Sequence, residues 1–474
     1  MKHIKIPYKK TLIITAISLL IGVPLSSMAA DYKRPASKFL RYNEDWSSLK
    51  DVDKNDLLPQ DKIKYVELNN SGSIWASFGG HLRARYENHD DFAFAAPTNN
   101  DDEFILYRAK VHADFHFGDS FRVFAEFKHA ESTPRDLPGG NRNIDRDTGE
   151  IQQFFMDYKV DLSGEDESVT FRFGRQEYGF GRSRLVSPLP WANALRQWDG
   201  FNVNYKTSNI DVTAFYSQFV PVNQTKTNRA DADHLFHGVY MTQKLSSSKG
   251  FDYYWLGIDR ENRTFNGTTG DESRDTFGVR HWGKISDTWS YEGEAAFQTG
   301  SVGNADISAF MLAAEVTYKP EEVNMSPKVT FGYDYASGDN KAGGDVNTFN
   351  QLFPLGHAYF GFIDIVGRQN IVYFSSSIAI KPFKKAGLRL GVHYFRRADD
   401  ADGLYSAGGG VVRAGDASAS KDIGTEVDLT FSYKLNKKVG LAFGVSRLNA
   451  GDYLSDTGSD SDINFAYAQV LYSF

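Results

Sequence analysis

Residues 76–87, ASFGGHLRARYE, set Ala76, Phe78, Gly80, Leu82, Ala84 and Tyr86 on one side of an extended chain and His81, Arg83, Arg85 and Glu87 on the other. Successive side chains of a strand point to opposite faces, so the stretch predicts a strand with one apolar and one charged face. The pattern recurs at 107–117, YRAKVHADFHF, where Ala109, Val111, Ala113, Phe115 and Phe117 oppose Arg108, Lys110, His112, Asp114 and His116. It recurs again at 423–435, IGTEVDLTFSYKL. In a soluble sandwich the charged face meets water and the apolar face packs inward. In a membrane barrel the apolar face meets lipid and the charges line a lumen.

The two ends of the chain favour the barrel. MKHIKIPYKK is basic, TLIITAISLLIGVP is apolar, and SSMAA offers small residues for cleavage, so residues 1–29 read as a secretory signal peptide. Losing its four lysines leaves 49 basic against 60 acidic residues, a net charge of −11. An acidic mature chain excludes general nucleic-acid affinity. There is no cysteine, so an exported chain must be stabilised without disulfides. INFAYAQVLYSF, 463–474, places Phe474, Tyr472, Val470, Ala468 and Ala466 on one face and reads as a closing strand. Aromatics make up 14% of the residues, and after residue 30 no apolar run reaches the length of a membrane helix.

The expected fold is therefore all-β, a transmembrane antiparallel barrel in a Gram-negative outer membrane. Strands are expected to begin near 73, 104, 120, 151, 168, 199, 210, 235, 251, 275, 288, 306, 327, 370, 387, 422, 438 and 462, eighteen in all. Short turns at 118–119, 207–209, 384–387 and 436–437 belong at the periplasmic end. Long polar connections at 90–102, 131–150, 220–234, 338–369 and 398–421 belong outside. At Arg175 the alternation is expected to break into a bulge or turn, and 179–195 reads as a further long loop. Residues 30–70 show no alternation and are read as a periplasmic or lumen-tucked segment; 71–474 form the barrel.

A charge facing lipid at mid-bilayer costs about 2–4 kcal/mol, so charged strand positions should point inward. The first five strands then present Arg83, Arg85, Arg108, Lys110, Arg122, Lys128, Lys159 and Arg172 against Glu87, Asp114, Glu126, Asp157 and Asp161. Arg280, Arg389 and Arg397 extend the basic set, and Glu292, Glu294, Glu315, Glu426 and Asp428 the acidic one. Excess arginine in a pore attracts anions. The bland alternative is cross-strand pairing of these charges. His112, Asp114 and His116 share a face, but alternation accounts for that spacing without a metal.

Several phrases carry a resemblance: FRFGRQEYGFGRSRL at 171–185, RQWDGFNVNY at 196–205, SYEGEAAFQTG at 290–300 and YDYASGD at 333–339. The most distinctive is TFNQLFPLGHAYFGFIDIVGRQNI at 348–371, and IGTEVDLTFSYKLN and RLNAGDYL add to it near the end. The chain resembles the alginate-export family of outer-membrane barrels. That resemblance implies an eighteen-stranded monomeric barrel with an arginine-rich constriction that passes an anionic polysaccharide, a polyuronate. By motif it implies pore roles for Arg172, Arg175, Arg196, Asp199 and Arg368, with Glu294 and Gln298 behind them. Arg83, Arg85, Arg108, Lys110, Arg389 and Arg397 join the expected path from the lumen pattern alone. Arginine's planar fork binds carboxylates bidentately, and several weak sites let a polymer step along.

No nucleotide-binding motif or cofactor is expected, so transport should be passive, with possible help from periplasmic secretion partners. The alternative within the class is a porin for small anions or sugar acids, its lumen narrowed by 338–369 with Phe349, Phe353, Phe360 and Phe362 as plug. A surface receptor without a pore is a further alternative, and so is an outer-membrane enzyme. The enzyme reading rests on His357 alone, for which the sequence places no Ser or Asp partner.

Overall fold

The computed structural model describes residues 32, 34, 35, 38, 40–95, 100–137, 140–164 and 166–474; the expected signal peptide lies outside them. Eighteen antiparallel strands form one closed wall. They are β1 (Ile74–Asp90), β2 (Asp102–Phe117), β3 (Phe121–Ser132), β4 (Asp147–Asp161), β5 (Ser168–Gln176) and β6 (Trp198–Lys206). Then come β7 (Ile210–Phe219), β8 (His234–Ser246), β9 (Lys249–Phe265), β10 (Thr268–Lys284), β11 (Trp289–Val302) and β12 (Ala305–Tyr318). The last six are β13 (Lys328–Ala336), β14 (Ile371–Ile380), β15 (Ala386–Arg397), β16 (Asp422–Lys434), β17 (Val439–Ala450) and β18 (Ile463–Ser473).

Each strand pairs with its neighbour in sequence, and the first pairs with the last, His81 opposite Ser473 through Asp90 opposite Asn464. Closure removes the open edges that a sheet in lipid could not satisfy. A two-residue strand, Val66–Glu67, adds to the start of β1.

The alternation read from the sequence holds in space. Outward positions such as Phe173, Tyr216, Phe277, Phe297 and Phe331 are exposed, while their inward neighbours are covered. The wall therefore has its apolar belt outside and its packed core inside. Where an inward ring needs room, glycine supplies it: a Cβ on Gly278 would lie 2.1 Å from the Tyr254 ring, and one on Gly444 2.2 Å from the Tyr467 ring.

Residues 40–67, Phe474 and the turns at 118–120, 207–209, 247–248, 381–385 and 435–438 occupy one end of the barrel, here the turn end. The long connections occupy the other, the loop end, with the two-residue turns 266–267 and 303–304. Two departures from the sequence reading arise at the loop end. β10 starts at Thr268, seven residues before the expected 275, and β4 starts at Asp147 rather than 151. The reason is local: Asn266-Gly267 closes a tight hairpin with φ of 39° and 87°, so β9 and β10 run on for 17 residues each. The polar residues of these extensions had hidden the strand period. The break expected at Arg175 is also absent, since pairing continues in register to Gln176 opposite Trp198.

Candidate functional site

Two connections fold back into the barrel and meet there: 177–197, between β5 and β6, and 337–370, between β13 and β14. They pair with each other through backbone. Ser187 N–H donates to Phe353 O at 2.9 Å, Phe353 N–H to Leu185 O at 2.8 Å, and Leu355 N–H to Ser183 O at 3.0 Å. Around this seam Leu185, Val186, Phe349, Phe353, Phe360 and Val366 are buried against wall residues that include Trp198, Phe215 and Phe236. The Trp198 and Phe353 rings meet edge to face at 5.2 Å. Burying so much aromatic area inside a polar wall is what draws both loops inward. Phe349, Phe353 and Phe360 are thus fully packed, while Phe362 is only partly covered.

A loop taken into a barrel must find partners for its backbone carbonyls. The wall arginines supply them. Arg83 donates to Pro190 O, Trp191 O and Ala192 O, each at 3.0 Å, and to Asn193 Oδ1 at 3.0 Å. Arg108 donates to Ala192 O at 2.7 Å and Pro190 O at 3.2 Å. Arg85 donates to Trp191 O at 2.7 Å, pairs with Glu87 at 2.6 Å, and lies 3.7 Å over the Trp191 ring. Arg196, within the loop, donates to Pro354 O at 2.8 Å and Ser187 O at 3.3 Å, and burial alone pushes its guanidinium down to about 9. Arg83, Arg108 and Arg196 have no carboxylate within salt-bridge distance among the described residues. No ion pair therefore neutralises them by contact, and Glu87 near Arg83 and Glu126 and Glu177 near Arg108 act only from further away.

The opposite wall is a mixed network. Arg184 pairs with Glu292 and, at 3.1 Å, with Glu294; Arg280 reaches Asp252 at 2.5 Å and Glu292 at 2.9 Å. Arg182, whose side chain is 49% exposed, contacts Glu292 at 3.0 Å and Glu315 at 3.2 Å. Arg368 lies beside Asp334 at 3.4 Å, donates to Arg184 O at 3.1 Å, and stands over the Tyr359 and Phe360 rings. The tip of the second loop is held by Glu426, which accepts from Phe362 N–H at 2.7 Å and Ile363 N–H at 3.0 Å.

The expected path residues separate accordingly. Arg83, Arg85, Arg108, Lys110, Arg172, Arg196, Glu294, Arg368, Arg389 and Arg397 all face the interior or stand on the loops within it. Lys110 pairs with Glu126 at 2.6 Å and Glu177 at 3.2 Å, and Arg172 forks onto Asp157 at 2.7 and 2.8 Å. Arg397 donates to five carbonyls of 398–421, among them Asp402 O and Ser420 O, and so holds that loop. Arg389 is partly exposed and has no carboxylate partner among the described residues.

Arg175 and Asp199 do not belong with them. They oppose each other in register between Gly174–Gly200 and Gln176–Trp198, pairs that face inward, so they point out of the barrel. There they bind each other bidentately at 2.7 and 2.9 Å. The uninterrupted register at Gly174 is what turns them outward, where mutual neutralisation near the loop end makes the position tolerable.

His357 also differs from the reading: Asp364 Oδ2 is 2.9 Å from its Nδ1, and its ring stacks on Trp191 at 3.7 Å. The partner comes from seven residues downstream, which a turn of unknown shape concealed. Arg182 and Arg184 belong to the arginine-rich stretch 174–200 that the sequence marks for the carboxylate path. They lie outside any strand, where no period indicates direction, so neither is assigned a place in that path.

One acidic contact gives a pH test. Burial, with Asp402 adding, pushes the Asp339 carboxyl up to about 6; it accepts from Asn347 N–H, and Asp402 Oδ2 accepts from Asp339 N–H at 3.0 Å. A raised carboxyl favours the packed loop when protonated, so this stabilisation is full below about pH 4 and lost as pH rises through 6. Asp339→Asn should slow hydrogen exchange in 337–350 relative to the parent at pH 7.5 and match it at pH 4.5. The difference should correspond to about 1–3 kcal/mol.

Solved structures similar to this chain include three proteins of Pseudomonas aeruginosa, among them the outer membrane protein OprD. OprD shares 11% identity at a TM-score of 0.54, covering 84% of this chain and 94% of its own. OccK11 (OpdR) shares 11% at 0.52, covering 84% and 96%, and OpdK, solved with vanillate, shares 10% at 0.54, covering 84% and 98%. At such identities the likeness is one of fold. No curated protein matches the chain. The sequence profile described as alginate export matches residues 74–468, from the first barrel strand into the last. With that match over a closed eighteen-stranded wall whose loops line the interior, this outer-membrane channel belongs to the alginate-export family.

Proposed function

We propose that the channel passes an anionic polysaccharide, a polyuronate such as alginate, outward across the outer membrane. The observation that carries this reading is the group formed by Arg83, Arg108 and Arg196, three guanidiniums around residues 187–196 whose hydrogen-bond partners are carbonyls or neutral side chains. Carbonyl dipoles orient a guanidinium without cancelling its charge, so the group leaves a positive potential beside the loop seam. Arg182 and Arg389 are better exposed cations elsewhere on the interior, and each offers a fork to a sugar carboxylate. Glu292 and Glu315, already sharing Arg182, compete with the sugar for it and keep each stop weak. Weak, repeated sites favour conduction over trapping.

The extensive packing of the two loops supports a second reading, a pore for single sugar acids. Planar-bilayer recordings separate the two. In a potassium chloride gradient the reversal potential should lie on the chloride side. Block that strengthens with each added residue of an oligogalacturonate, with monomer weakest, is expected for a polymer path; equal block by monomer and oligomer would favour the sugar-acid pore. A potassium-preferring channel would sink both.

A further inference from the structure

Residues 40–67 fold beneath the turn end, and the Tyr42 side chain enters the lumen from them. Tyr42 packs on Phe155 and Phe124, at 5.2 and 5.9 Å, and lies 4.3 Å from the Arg172 guanidinium. Its backbone carbonyl accepts from Arg122 NH2 at 2.5 Å. Arg122 and Arg172 flank Asp157 in register across β3, β4 and β5, so Tyr42 covers two neighbouring arginines of the expected path with one ring and one carbonyl.

Both arginines keep donors to spare. Arg172 spends Nε and NH2 on Asp157, and Arg122 spends the same pair on Asp114. A guanidinium has five N–H groups, so NH1 of Arg172 and NH2 of Arg122 can take another acceptor once Tyr42 moves, while Arg122 NH1 stays 3.7 Å from Asp157. Residues 40–46 are joined to the following residues at their far end, through Trp46. Trp46, Leu49, Leu57 and Tyr65 form their own small core against Trp75, and Lys64 donates to Phe474 O at 3.2 Å. Arg41, on the near side, pairs with Glu44 at 2.7 Å and reaches Gly80 O and Phe474 O at 3.3 and 3.4 Å only.

We propose that residues 40–46 are a built-in gate at the turn end, in which Tyr42 occupies Arg122 and Arg172 in place of a passing carboxylate and is displaced by it. This rests on the anion-channel reading. The same arginines then form the first carboxylate site that a uronate meets from the turn end.

The test is single-channel recording of the full chain, with folding checked by heat-modifiable gel mobility. Tyr42→Ala should raise conductance in potassium chloride by about twofold or more and move the reversal potential toward chloride, because the ring over Arg172 leaves, although the residue-42 carbonyl still faces Arg122. Tyr42→Phe, which keeps the ring and the carbonyl, should match the parent. In the parent, oligogalacturonate should speed hydrogen exchange at 40–46 and leave 47–65 unchanged. Parent-like conductance in folded Tyr42→Ala, or exchange at 40–46 indifferent to oligogalacturonate, would overturn the gate. Raised conductance with unmoved ion preference would overturn the competition for arginine. Potassium preference in the parent would instead remove the anion reading, a result distinct from either.

Discussion

Glu426→Ala should release the tip of the loop 337–370 and raise the open conductance at least about twofold, with frequent transitions between levels. Its carboxylate is fully buried and takes both N–H groups at the tip, Phe362 and Ile363. Each buried N–H left without a partner costs about 1–3 kcal/mol, and two would be left so. Part of this loss is offset because a carboxylate no longer needs to be kept dry beside Asp428, so a net cost of about 2–4 kcal/mol is expected. Glu426→Gln keeps one acceptor and should fall between parent and Ala. Gly361→Ala reaches the same end by another route. Gly361 has φ of +81°, and a Cβ there would lie 2.3 Å from the Glu426 carboxyl carbon, so the tip must back away. Quiet, parent-like currents in both Glu426→Ala and Gly361→Ala would show that this tip does not border the conducting path.

The double replacement Arg83→Ala with Arg108→Ala should lower the chloride-over-potassium preference by about three- to tenfold. One charge about 10 Å from the path, at an effective dielectric near 20, is worth about 1.7 kcal/mol, and salt and the more distant Glu87, Glu126 and Glu177 screen part of it. The same change frees the carbonyls of Pro190 and Ala192, which these arginines hold, while Arg85 still holds that of Trp191. Arg83→Lys with Arg108→Lys discriminates the two effects. Lysine keeps the charge but cannot fork across three carbonyls, so selectivity should survive while current noise rises. An ion preference that does not move in the alanine pair would place the selectivity elsewhere, with Arg182 and Arg389 the next residues to replace.

The wall was almost wholly legible in the sequence, for a reason seen at residues 76–87. Lipid tolerates no charge and a strand has a period of two, so each charged position declares its own direction. The exceptions obey different physics. Thr268–Arg274 stands clear of the apolar belt and loses the period. Arg175 and Asp199 escape the inward rule because each neutralises the other at the loop end. Motif likeness had set both on the path; only the register, with Gln176 and Trp198 facing in, turned them out.

The loops show the limit of such reading. RSRLVSPLPW and FPLGHAYFGFIDIVGRQ have no period, so nothing local says which way Arg184, His357 or Arg368 points. Their directions follow from a meeting between segments some 170 residues apart, Val186 against Phe353, and from wall arginines that reach for carbonyls. The sequence by itself determined the closed barrel, its lipid-facing side and the sign of the charges within, because these depend on alternation and on the cost of charge in hydrocarbon. Tertiary structure alone decided which of those charges stay unpaired and which hold a loop, because pairing depends on distances across the lumen that no spacing along the chain encodes.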